Sequence, residues 1–230
     1  MLVGEEREQR FEDLCREAAG CRRCPAMAGR RRVLREANGR PGALVLFVGE
    51  APGRRGGERT GVPFSGDQSG RNFTALLAVA GLERADVFVT NAVLCNPRDG
   101  RDRNRPPARA ELAACRDFVA RQLALVAPPI VAPMGAVALA ALDALAPHGL
   151  RLAAAAGRVY AWDGRLLAPL YHPGPRAQLH RPFARQAEDF ARLGRLARLV
   201  RAAGIPRASP DALGNLSASL DVERLDMAAG

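Results

Sequence analysis

Short continuous apolar runs alternate along this chain with longer segments whose apolar residues recur every three or four positions. Leu44 to Val48 is the first such run, too short for a helix and rich in Val, Leu and Phe, which predicts a buried strand. Val87 to Val89, ending in Thr90-Asn91, and Ile130 to Ala132 predict two more. Residues 158–170 read as a hairpin turning at Asp163-Gly164, whose second arm supplies the fourth strand. The helical period appears in between. Residues 5–19 carry Phe11, Leu14, Cys15 and Ala18 on one stripe; Ser69 is a candidate N-cap for a helix through Ala80, with Phe73, Leu76 and Leu77 on one face and Gly81 ending it. Pro106-Pro107 set up a helix in which Leu112, Cys115, Val119, Gln122 and Val126 share a face, Gly135 opens an alanine-rich helix through about Leu145, and Arg181 to Val200 closes the series.

Strands alternating with helices predict an α/β fold: three layers, α/β/α, around a central, mostly parallel, four-stranded sheet. Residues 1–204 form one expected domain, and the proline- and serine-bearing stretch 205–230 an expected loosely ordered tail. No internal repeat is present.

The stretch after the first strand is the most informative. Gly49, Pro52, Gly53, Gly56, Gly57 and Gly61 predict a loop that continues as neither strand nor helix, and it carries Glu50, Glu58, Phe64 and Asp67. Ligands of parallel sheets bind beyond the carboxyl ends of the strands. Glu50 follows the first strand, Asn91 the second, and His172 the fourth, in the rigid turn Tyr171-His172-Pro173-Gly174-Pro175, so these groups should converge on one rim. Phe64 can stack on a planar ring, Asn91 can donate and accept along one base edge, and His172 can donate to an oxygen where negative charge develops. Glu50, Glu58 or Asp67 can orient water or stabilise a cationic sugar. That set suits cleavage of an N-glycosidic bond.

Composition adds a partner. The 34 basic residues, all arginine, exceed 24 acidic ones for a net charge of +10, which fits an anionic partner such as DNA. The charged opening MLVGEEREQRFEDL is unlike a secretory signal, and no apolar run reaches the roughly 18 residues of a membrane span, so a cytoplasmic protein with no membrane partner is expected. Five cysteines in a reducing compartment argue for metal, catalysis or burial over disulfides. Cys21-Arg-Arg-Cys24 can point two sulfurs at one metal; Cys115 read alone is a small core residue.

Val48-Gly49-Glu50-Ala51-Pro52-Gly53, Thr60-Gly61-Val62-Pro63-Phe64-Ser65-Gly66, Thr90-Asn91 and Tyr171-His172-Pro173, in that order, resemble the motifs of the uracil-DNA glycosylase superfamily. Family 4, the iron-sulfur enzymes, is the nearest likeness, with some family 5 (type b) character. The resemblance spans about residues 15–200. It implies an enzyme that releases uracil from single- or double-stranded DNA and leaves an abasic site. In it Phe64 stacks on the base, Asn91 reads its edge, His172 stabilises the oxygen that gains charge, and Gly49 and Ala51 lie in the loop that offers backbone groups. It also implies a 4Fe-4S cluster held by Cys21, Cys24, Cys95 and Cys115, with Cys15 left in the core or as a rival ligand. The gap from Cys95 to Cys115 is longer than the family 4 pattern. Asp67 matches type b and Glu50 family 4, so either can position the water. Arg176 or Leu179 is implied to enter the duplex, with Arg181 on a phosphate. No lysine exists to form a Schiff base, which favours a monofunctional enzyme, expected as a monomer. The alternatives are a non-catalytic DNA-binding or damage-sensing protein on the same fold and a zinc-stapled nucleotide-binding protein.

Overall fold

Alternation along the central strand decides which layer each side chain enters. In β1 (Val45–Gly49), buried throughout, Val45 and Phe47 belong to one apolar layer and Leu46 and Val48 to the other, as the two-residue period of a strand requires. The computed structural model describes residues 4–204 and 222–223. β2 (Val87–Asn91) and β3 (Ile130–Pro133) flank β1 in parallel, and the register sets Gly49 opposite Asn91. β5 (Arg165–Leu167) continues the sheet in parallel on β3, β4 (Val159–Trp162) returns antiparallel on β5, and β6 (Val222–Glu223) lies parallel on β4.

Helices cover both faces. α3 (Gln68–Ala80) and α7 (Phe183–Ala202) pack on the Val45/Phe47 side, where Phe47 meets Phe73 edge-on at 5.2 Å and lies parallel to Phe190 at 6.0 Å. α1 (Gly4–Ala19), α4 (Arg109–Val126) and α5 (Ala136–Asp143) pack on the other. The three-layer α/β/α architecture is therefore as the sequence predicts.

Several details differ. Among the described residues the sheet has six strands rather than four, because the first arm of the hairpin joins it as β4 and then pairs with β6. His172 consequently follows the fifth strand in chain order. Asp67, not Ser69, caps α3: its Oδ1 accepts the Gly70 N–H at 2.9 Å, a geometry open to a carboxylate at the extended position before the first turn. The glycine-rich loop also contains a helical turn, α2 (Gly57–Thr60), closed by Gly61 at φ 76°. A second short helix, α6 (Leu152–Ala155), precedes β4. The expected tail, 205–230, lies outside the described residues except for β6.

α3 and α7 touch so closely at one point that only glycine fits. A Cβ on Gly194 would overlap the Ala80 carbonyl oxygen and lie 2.8 Å from Ala80 Cα, both backbone atoms that cannot swing aside. Gly194→Ala should therefore lower stability by about 3 kcal/mol, read as a reduced urea midpoint. An unchanged midpoint would contradict this packing.

Candidate active site

The carboxyl ends of β1, β2, β3 and β5 open onto a cleft of about 670 Å³, and Glu50, Ala51, Phe64, Asp67, Asn91, His172 and Arg176 all line it. Residues separated by more than a hundred positions thus share one rim. Phe64 and His172 face each other with ring centroids 5.4 Å apart, tilted by 40°.

Each side chain is held by a local device. Phe64 sits at φ 51°, a left-handed conformation costing about 1–2 kcal/mol for such a residue. Packing imposes it: the ring rests on Phe73 at 4.8 Å, and Gly70 lets the Phe64 backbone lie on the first turn of α3, where a Cβ would come within 2.5 Å of the Phe64 carbonyl oxygen. Gly49 has a related part. A Cβ there would lie 2.5 Å from Asn91 Oδ1 and 3.2 Å from the Phe64 ring, so the missing side chain lets the amide and the aromatic close together. Asn91 is almost wholly buried, and among the described residues its amide makes no side-chain hydrogen bond. Its full donor and acceptor capacity is left for a ligand.

His172 has an assigned tautomer. Its Nδ1 accepts the Gly174 N–H at 2.9 Å. Burial pushes its pKa below the usual histidine range, against the opposing pull of the Asp67 charge. A neutral ring whose Nδ1 is an acceptor carries its proton on Nε2. The turn that bears it is tied to α3, because Asn72 donates to the Pro173 carbonyl at 2.6 Å. Asp67 uses Oδ1 for the cap, while Oδ2 lies against Gly53 and Gly56, where a Cβ on Gly53 would come within 3.1 Å. The Glu50 carboxyl is pushed up from its ordinary value by burial.

The sequence matches the profile of the uracil DNA glycosylase superfamily over residues 37–193. The chain belongs to the uracil-DNA glycosylase superfamily. It is 32% identical over 193 residues to the type-4 uracil-DNA glycosylase of Archaeoglobus fulgidus, covering 81% of this chain and 92% of that one. It is 31% identical to the type-4 enzyme of Thermotoga maritima (73% and 83% covered) and 32% identical to the type-5 enzyme of Pyrobaculum aerophilum (72% and 83%). Both types are represented, in keeping with the mixed motifs.

Other superfamily residues expected from the sequence are placed as follows. Arg176 stands at the cleft mouth and Leu179 is 83% exposed in the turn Pro175–Leu179. Arg181 instead spends its guanidinium on Asp189, with bonds of 2.5 and 2.6 Å. Glu58 lies outside the cleft and pairs with Arg98. Cys21, Cys24, Cys95 and Cys115 line one small cavity, joined by Arg23, Arg32 and Glu111, whereas Cys15 stands apart, its thiol pushed up to about 11 chiefly by burial. Burial likewise pushes Cys95 to about 12 and raises Cys24 and Cys115. Among the described residues no three such side chains close to the spacing that holds a single metal ion. Asn96, Asn104, Arg105 and His180 also line the cleft and were not anticipated. The first three belong to the polar, arginine-laden loop after Cys95.

Burial of Glu50 has a pH consequence. Its folded pKa lies above the unfolded value, so whatever stability the protonated form contributes is present below about pH 4.5 and lost as pH rises through the folded pKa. Glu50→Gln should therefore raise the melting temperature at about pH 7 and give no gain near pH 4. A variant less stable than wild type at both values would show the carboxylate to be compensated.

Proposed function

We propose that this protein is a monofunctional uracil-DNA glycosylase, hydrolysing the N-glycosidic bond of deoxyuridine in DNA and leaving an abasic site. The observation that carries the reading is the convergence of Phe64, Asn91 and an Nε2-protonated His172 in one cleft. An extruded uracil stacks on Phe64 and presents its polar edge to the unspent Asn91 amide. As the bond breaks, negative charge grows on a uracil oxygen, and the neutral His172 donates to it from a site largely screened from water. The sugar becomes cationic meanwhile. Asp67, whose negative charge is near enough to act on His172, stabilises it and orients the attacking water, with Glu50 the second candidate. Ala51 lines the same space, and Gly49 stands behind it against Asn91 and Phe64. Arg176 contacts phosphate, and the exposed Leu179 enters the base stack where the nucleotide has left. A phosphate contact from Arg181 would require it to give up Asp189.

The four-cysteine cavity fits the iron-sulfur cluster that the resemblance implies. Cys21, Cys24, Cys95 and Cys115 line one common space, and four thiols are the donor set such a cluster takes. Arg23 and Arg32 beside it offset the negative charge that four thiolates bring. Cys21, Cys24, Cys95 and Cys115 would hold the 4Fe-4S cluster, which supplies a cross-link between the amino-terminal segment and α4. Free thiols throughout the described residues fit a reducing, cytoplasmic setting, and we take the protein to act as a monomer. No described helix is long and apolar enough to cross a membrane.

Incubation with a uracil-containing oligonucleotide followed by alkali should break the strand at uracil, and His172→Ala should slow release by about 10²–10³-fold with DNA binding retained. Unbroken single- and double-stranded substrates would leave the non-catalytic DNA-binding reading in its place. Purified protein should be brown, with absorbance near ~400 nm and about four irons per chain, and Cys115→Ala should lose both. A colourless protein holding zinc would refute the cluster.

A further inference from the structure

The loop following Cys95 is bound to the loop following β1 through a set of polar groups. Asn96 is at its centre and is 1% exposed. Its Nδ2 donates to the Pro52 carbonyl at 2.6 Å and to Asn104 Oδ1 at 3.0 Å, and its Oδ1 accepts from Arg98 Nε at 2.7 Å. Asn104 Oδ1 in turn accepts the Arg54 N–H at 3.2 Å. Arg98 completes the clasp, pairing with the buried Glu58 and with Asp102.

What this clasp holds is the segment against which Asp67 rests. Pro52 is fixed through its carbonyl, the next residue is Gly53, and Gly53 and Gly56 leave no room for a side chain beside Asp67 Oδ2. Asp67 Oδ1 is already committed to the cap of α3. The direction of the other oxygen is therefore set by the backbone of residues 53–56, and the position of that backbone by a buried amide.

We propose that Asn96 is a positioning residue for the Asp67 carboxylate, acting through the Pro52 carbonyl and the backbone of Gly53–Gly56. The inference rests on the glycosylase reading, in which Asp67 serves the cationic sugar and the water. Although Asn96 borders the cleft, both hydrogens of its Nδ2 and its Oδ1 are engaged by Pro52, Asn104 and Arg98, so it acts through these partners rather than on the substrate. Its loss leaves the Pro52 carbonyl buried without a donor, and the segment moves to regain one. An alternative in which Asn96 merely stabilises the fold predicts a different pattern, because its loss would then add to any loss at Asp67 rather than overlap with it.

The test is a double-mutant cycle on full-length protein, using single-turnover uracil release and the dissociation constant for the same oligonucleotide. Asn96→Ala should slow release by about 30-fold or more with binding changed less than about threefold, and Asp67→Ala should slow it at least as far. The Asn96→Ala/Asp67→Ala protein should be no slower than Asp67→Ala alone. Losses that multiply, or an Asn96→Ala protein at the wild-type rate, would overturn the proposal. Asn96→Asp guards against misfolding: it keeps the volume and the acceptor for Arg98, lacks the donor to Pro52 as a carboxylate, and should share the rate loss. Amide hydrogen exchange supplies a readout that does not depend on turnover. Both Asn96 variants should exchange faster across residues 53–58 and 67–70, with α7 unchanged, and this holds even for a wild type that releases no uracil. Exchange unaltered in those segments, or raised throughout the chain, would refute the positioning role whatever the activity.

Discussion

The register that places Gly49 opposite Asn91 is the constraint on which the cleft depends. A parallel pair slipped by one residue would turn Asn91 to the other face of the sheet and bring a side chain where Gly49 now leaves none. The register is itself fixed by burial on both faces, since Val45 and Phe47 serve one apolar layer and Leu46 and Val48 the other. Packing in the core therefore decides where a polar amide stands at the rim. Phe64 and His172 then arrive from opposite directions along the chain, and both are anchored on the first turns of α3, through Gly70 and Asn72 respectively.

The site spends stability to be ready. Phe64 is held in a left-handed conformation, Asn91 keeps a buried amide without a side-chain hydrogen bond among the described residues, and Glu50 is pushed toward its neutral form by burial. Each is a local cost carried by the surrounding layers, and each prepares a group for a ligand. Around the rim, polar pairs do the holding that apolar contacts do in the core. Glu111 illustrates this: it accepts from Arg105 through both oxygens and from the Ala108 N–H, and it borders the cysteine cavity while Arg105 borders the cleft. This ion pair thus reaches from one cavity to the other.

Much of this was legible in the sequence because it rests on periodicity. Apolar runs and helical stripes mark three of the buried strands and the helices that cover them, and the residues just past the strand ends mark the rim. What the sequence hid follows from interactions without a local signature. Val222–Glu223 joins the sheet by pairing with β4 far upstream, and two residues carry no strand pattern. Asp67 displaced Ser69 as the cap because the backbone at position 67, not the residue types, selected it. The loop 96–105 is polar and arginine-laden with no periodic pattern, and its role emerges only from partners forty or more positions away, Pro52 and Glu58. Arg181, implied by the resemblance to hold a phosphate, pairs with Asp189, and nothing in the sequence between them marks that pairing.

One cleft must hold one extruded base for the chemistry to proceed. A crystal structure of the His172→Ala protein with a uracil-containing duplex measures this most directly. The uracil should lie on the Phe64 ring with its polar edge within hydrogen-bond reach, about 3 Å, of the Asn91 amide. A uracil still stacked in the helix, or bound away from Phe64 and Asn91, would contradict it.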